Sequence, residues 1–255
     1  MTDKTLVFSI ALNGYQWMYQ KELASHKHYA QKCDYEYQAI TRPYFSALGV
    51  ECCWLKLTLM RTALLGGYQN VMFIDADAMV QLNCPPIETL FIANKHIYMA
   101  KGYSNRFNSG VLIAQKNRQV IDWLTRVIDS RMHNVLDKNS VGWGENGHII
   151  ELSHNCSFIC EMDQKWNNTY DLHMTDFIHH QNCGPLRTGL IDNFLHRIIF
   201  CLSYRVLTFV NTVKLLTKQR IPENILDSET VKITRMYPNF VLNKCNQNCL
   251  TILTY

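Results

Sequence analysis

Apolar and polar positions fall into short blocks along the first eighty residues, and the blocks change period as they go. Residues 5–11 form a β-rich apolar run that stops at Asn13-Gly14, a turn signal. Residues 17–32 have helix-like content, with Lys21 and Glu22 on the exposed side. Residues 34–40 alternate and read as a second strand, ended by Arg42-Pro43. Residues 52–65 are apolar with Lys56 and Arg61 interspersed. They predict a helix closed by Gly66-Gly67. Residues 71–80 then run Val-Met-Phe-Ile-Asp-Ala-Asp-Ala-Met-Val, too short for an ordinary helix and suited to a buried strand. Strand, helix, strand, helix, strand predicts a parallel sheet with right-handed crossovers, a Rossmann-like nucleotide-binding half.

The second half is more broken. Pro85-Pro86 interrupts the chain, residues 97–100 and 107–114 read as strands, and 120–135 as an amphipathic helix. A Gly-punctuated loop over 142–147 leads into a helix starting at His148. A polar loop over 163–168 carries a single Trp. Residues 176–180 form a short strand ending in His179-His180. From Leu190 to Leu216 apolar positions follow helical spacing, with Arg197, Arg205, Lys214 and Lys218 among them, until Pro222. That segment is expected to pack on the preceding domain, to form a homodimer interface, or to lie on a membrane surface. Residues 231–255 read as short strands or irregular structure.

The 255 residues are 47% apolar and 18% charged, which allows a sizeable core and argues against disorder. The net charge of +4 suits an anionic small ligand or a membrane surface and excludes the dense basic clusters of a nucleic-acid binder. Ten cysteines show no metal-site spacing. The N-terminus runs straight into the first strand, with no secretory leader pattern and no apolar run of about 18 residues or more. A cytoplasmic protein with reduced, mostly buried thiols is therefore expected, and the sequons at Asn155 and Asn167 read as chance.

The chemistry concentrates at Asp75 and Asp77. On an extended chain they point the same way, with Ala76 between them facing the other. Two carboxylates so placed at the end of a buried strand repel each other. A hard divalent cation, Mn²⁺ or Mg²⁺, removes that conflict and can hold nucleotide phosphates.

Several further motifs agree in order and spacing with one family. They are Ile10-Ala11-Leu12-Asn13 with Tyr15, Trp54-Leu55-Lys56-Leu57, Phe73-Ile74-Asp75-Ala76-Asp77, Phe107-Asn108-Ser109-Gly110-Val111, Gly144-Glu145-Asn146-Gly147 and Ile178-His179. The chain resembles the GT-A glycosyltransferases, and within them the glycogenin-like retaining family, from about residue 5 to Gly184. The resemblance implies an α/β fold of GT-A type. Its catalytic domain would span 1–188, with a nucleotide-binding half (1–80) and an acceptor or sugar half (81–188), and a helical extension and tail over 189–255. It implies transfer of a hexose from a nucleotide sugar, a UDP-sugar by family habit, to a glycan, lipid-linked or protein acceptor, with retention. Asp75, Asp77 and His179 would bind the metal, with His180 as the fallback. Ala11, Asn13 and Tyr15 would hold base and ribose. Lys56 would face the diphosphate or sugar beside Ala76, and Arg187 would stand where the family has a diphosphate-binding Lys. Asn108, Ser109, Glu145 and Asn146 would grip the sugar, the last two where the family usually has Asp-Gln. Two rivals are an inactive sugar-nucleotide or glycan-binding domain on the same fold, and a haloacid-dehalogenase-type phosphatase with Asp75 as nucleophile.

Overall fold

In a computed structural model, residues 4–141, 144–181 and 225–242 are described, with Leu186 and six positions between 198 and 209. Strand β1 (Thr5–Ile10) lies parallel to both β2 (Glu36–Ile40) and β3 (Asn70–Ile74). Short α1 (Tyr15–Met18) and α2 (Gln20–Lys32) cross from β1 to β2. A 3₁₀ turn at Gly49–Trp54 and α3 (Leu55–Leu65) cross from β2 to β3. The single helix expected over 17–32 is thus broken at Tyr19, which stands between the two pieces.

Past β3 the sheet changes character. β5 (Ile97–Lys101) and β6 (Phe107–Gln115) are joined by a short turn closed by Gly102 N–H donating to the Arg106 carbonyl at 3.0 Å. So tight a connection makes the pair antiparallel. β6 then pairs antiparallel with β3, and β7 (Ile159–Glu161) parallel with β5. The order is β2-β1-β3-β6-β5-β7, a mixed sheet that is parallel only in its first three strands and at its far edge. A separate two-stranded sheet pairs β4 (Ala78–Val80) antiparallel with β8 (Ile178–His180), setting His180 opposite Ala78 and His179 opposite Met79.

Both faces of the sheet's centre are covered, so β1, β3, β5 and β6 carry buried apolar runs. Leu6, Phe8, Val71, Phe73 and Leu112 face α3 and α4 (Arg118–Asp129). Val7, Met72, Ile74 and Ile113 face Tyr29 and Ala30 of α2. Helix α4 begins at Asn117, whose side chain accepts from Gln119 N–H, and buries Val120, Trp123, Leu124, Val127 and Ile128. It stops at Asp129, earlier than the pattern to 135 predicts, and gives way to a 3₁₀ turn. Helix α5 spans Asn146–Ser153.

The tail departs most from expectation. Its first residues, 231–236, expected as strands or irregular chain, belong instead to α6 (Ile225–Met236). Leu226, Thr230 and Ile233 come round at helical spacing and are buried against α3, where Thr58 and Thr230 share a 2.7 Å hydroxyl hydrogen bond. Phe240 meets Phe8 edge-on at 5.4 Å, and the Tyr237 hydroxyl accepts from the backbone N–H groups of Thr41 and Arg42. Within 190–220 the described positions Ile198, Cys201, Leu202, Arg205, Val206 and Phe209 are helical with exposed side chains; the rest of that segment lies outside the described residues. Among the described residues no helix is long and apolar enough to cross a membrane.

Candidate active site

Asp75 follows the last residue of β3, and its N–H still donates to the Gly110 carbonyl of β6 at 2.7 Å. The chain then turns, Ala78 N–H bonding the Asp75 carbonyl, and brings Asp77 back beside Asp75. The imidazole that joins them belongs to His180. Its Nε2 lies 3.2 Å from Asp77 Oδ1 and 3.7 Å from Asp75 Oδ2. One ligand atom from each of the three falls within 4.8 Å of the others. His179, the expected ligand, is one position off on a strand and so faces the opposite way. Its Nδ1 bonds Asp176 Oδ2 at 2.9 Å instead.

Gly110 explains part of the family-like motif. A Cβ there would sit 2.1 Å from His180 Cε1 and 2.8 Å from Asp75 Oδ2. Glycine lets the ring lie against the backbone of β6.

The electrostatics favour a cation. Burial, with Asp77 and Glu145 nearby, pushes the Asp75 carboxyl up to about 6 despite Lys56 and His180. Burial alone would lower the His180 pKa, but Asp77 and Asp75 outweigh it and raise it. The site thus holds a proton tightly where a metal can stand in its place. Two carboxylates and an imidazole suit Mn²⁺ or Mg²⁺ with remaining positions for phosphate oxygens or water.

A second charged cluster adjoins the first. Lys56 is 3% exposed, not a solvated helix residue. Its Nζ lies 2.7 Å from Glu145 Oε1, 3.6 Å from Asp75 Oδ1 and 4.7 Å from the Phe73 ring centre. Burial disfavours the ammonium, yet Asp75 and Glu145 more than offset this and hold it above the ordinary lysine range. Glu145 is buried too. Burial would raise its pKa, but Lys56, a hydrogen bond from it and one from the Cys53 thiol bring it below the usual range. Ser109 Oγ–H donates to Glu145 Oε1 at 2.8 Å, and Ser109 N–H donates to Asn146 Oδ1 at 3.0 Å. Asn108 Oδ1 accepts from Gly110 N–H at 2.9 Å. Lys56, Asn108, Ser109, Glu145 and Asn146 therefore converge beside Asp75 from α3, β6 and the start of α5.

The loop after β1 is held from within. Asn13, in a left-handed conformation at φ 57°, accepts from Ser46 N–H and donates to the Gly49 carbonyl, both at 2.9 Å, and to Cys52 Sγ. Its side chain ties residues 46–52 to the end of β1. Ala11 is fully buried, its N–H bound to the Ile40 carbonyl. Tyr15 packs on Tyr19, and burial together with the nearby Asp77 carboxylate holds its phenol well above the usual range. Ala76 is buried among Ala11, Met18 and Tyr19. Arg187 lies outside the described residues.

Sequence reasoning missed Asn167 and Cys53. Asn167 is 1% exposed and its Oδ1 lies 2.8 Å from His180 Nδ1. In the sequence it reads only as part of a polar loop and a chance sequon. Cys53 carries no signal beyond its apolar helix.

No family model matches this chain, and no curated protein matches it. Among solved structures, a glycosyltransferase involved in glycosylation of the major capsid of PBCV-1 superposes with a TM-score of 0.51 at 12% identity, over 64% of this chain and 84% of that one. The chain has the GT-A glycosyltransferase fold. The WbbM bifunctional glycosyltransferase (TM-score 0.46, 11% identity, 67% of this chain) and GlyE of Streptococcus pneumoniae TIGR4 (0.41, 14%, 66%) are also similar. This chain spans 40% and 47% of their lengths. In this GT-A fold the carboxylate pair stands at the carboxyl end of a parallel strand, where open α/β sheets bind ligands.

Proposed function

We propose that the protein transfers a hexose from a nucleotide sugar, with UDP as the nucleotide, to a glycan, lipid-linked or protein acceptor, with retention of configuration and dependence on Mn²⁺ or Mg²⁺. The observation that carries this reading is the convergence of Asp75, Asp77 and His180 on one point beside the buried Lys56–Glu145 pair. Asp75, Asp77 and His180 would hold the cation, which when bound supplies Lewis-acid neutralisation of the leaving diphosphate. Lys56 adds a fixed positive charge at the same place, in surroundings that exclude water and strengthen it. Asn108, Glu145 and Asn146 would orient the sugar, and Tyr15 with the backbone of the Ala11–Asn13 loop would receive the nucleoside. Retention and the UDP preference rest on the sequence resemblance. Arg187 is the proposed second phosphate contact.

The 190–220 segment is proposed to dock at a membrane surface. Ile198, Leu202, Val206 and Phe209, exposed at helical spacing beside Arg205, support it. Vesicle binding unchanged by neutralising Arg197, Arg205, Lys214 and Lys218 together would refute that docking.

The catalytic reading is tested by release of nucleoside diphosphate from a panel of UDP- and GDP-sugars, with Mn²⁺ and with chelator. Slow, chelator-sensitive release from one UDP-sugar is expected. Release that persists unchanged in chelator would contradict the reading.

A further inference from the structure

The hydrogen bonds behind His180 fix which of its ring nitrogens faces Asp75 and Asp77. One group in this chain of bonds can only donate. Gly110 N–H donates to one terminal atom of the Asn108 amide at 2.9 Å, so that atom is the oxygen, Oδ1. The same Oδ1, and the Asn108 carbonyl, face one terminal atom of the Asn167 amide at 2.9 and 3.2 Å. Two acceptors require a donor there, so that atom is Nδ2, and the other terminal atom of Asn167 is its Oδ1. That oxygen lies 2.8 Å from His180 Nδ1 and can only accept. The imidazole must therefore carry a hydrogen on Nδ1, so that in the neutral ring it is Nε2, turned to the carboxylates, that has the lone pair to offer. Asn167 and His180 are 1% and 3% exposed, so water does not compete for these bonds.

We propose that Asn167 is a positioning residue: its Oδ1 holds the His180 imidazole in the Nδ1–H form and in one orientation, so that Nε2 is presented as a cation ligand. This deepens, and rests on, the cation-site reading above. It assigns to Asn108 a part in the same chain, since Asn108 Oδ1 orients the Asn167 amide. Partners of this kind stiffen a ligand and set its tautomer, and removing one weakens metal affinity by about 10- to 100-fold.

The test uses the full chain, free of donor. Long-range ¹H–¹⁵N correlation of the His180 ring, in metal-free protein at alkaline pH, reads the tautomer. Mn²⁺ titration followed by electron paramagnetic resonance reads affinity for the metal alone. The wild type is expected to show the Nδ1–H form. Asn167→Ala is expected to bind Mn²⁺ about 10- to 100-fold more weakly and to lose the Nδ1–H preference. Asn167→Asp keeps an acceptor for Nδ1–H but loses the donor to the two Asn108 oxygens, and is expected to keep the Nδ1–H form while recovering only part of the affinity. An Nε2–H ring in the wild type would overturn the proposal even if neither variant folds. Equal Mn²⁺ affinity and an unchanged tautomer in Asn167→Ala would overturn the role of Asn167 alone. A wild type that binds no Mn²⁺ would instead overturn the cation-site reading on which it stands.

Discussion

At the scale of residues, the site is two charged clusters sharing Asp75. Lys56 and Glu145 are both nearly fully buried, so neither charge tolerates losing its partner. Lys56→Met is expected to cost roughly 3–5 kcal/mol in urea unfolding, because Glu145 is left charged and buried. The double variant with Glu145→Gln should cost less than the sum of the two single changes. Additive losses would show that the pair is not coupled. Gly110 gives a second expectation. In Gly110→Ala the new methyl overlaps His180 Cε1, so the ring must leave its place. Mn²⁺ affinity measured by calorimetry should fall about tenfold or more, and an unchanged affinity would mean the ring is not a ligand.

The residues themselves were largely legible. Two carboxylates one apart at the end of an apolar run speak for a metal by charge alone. The choice between His179 and His180 was not legible, because it depends on the phase of β8 against β4, and a one-residue shift in phase exchanges the faces. Asn167 was illegible for a related reason: its role exists only where three separate segments meet.

At the scale of elements, α2 is fastened to the sheets by His26. Its Nε2–H donates to the Ala78 carbonyl and its Nδ1 accepts from the Ser9 hydroxyl. Burial lowers its pKa from 6.5 to about 4. The unfolded chain therefore binds more protons than the folded one between those values, and stability falls as pH drops from 6.5 toward 4. Between pH 6.5 and 5 the loss from this group is about 1.6 kcal/mol. In urea unfolding the stability advantage of the wild type over His26→Gln should shrink by about that much. A constant difference across that range would place the titration elsewhere. The strands were readable from their apolar runs. The second half of the sheet was not readable as antiparallel, since strand direction is set by connection length, and the β5–β6 turn is shorter than any helical crossover.

At the scale of the whole molecule, the last described segment shares the core of the main sheet. Leu226, Ile233 and Phe240 join the same core as Phe8 and Phe73. Phe240→Ala should therefore destabilise the protein by about 3–5 kcal/mol, as seen in the midpoint of chemical unfolding. A loss below about 1 kcal/mol would mean that 225–242 is an appendage. The helix was hidden in the sequence because its buried positions include Glu229 and Thr230, polar residues that the core accepts through Ser46 and Thr58.

The central question is which groups would hold a cation. The most direct measurement is Mn²⁺-dependent turnover of a UDP-sugar by the wild type, Asp75→Ala, His180→Ala and His179→Ala proteins, side by side. Turnover that is lost in Asp75→Ala and His180→Ala and kept in His179→Ala is the predicted result. Turnover that survives without His180, or that disappears with His179 alone, would contradict it.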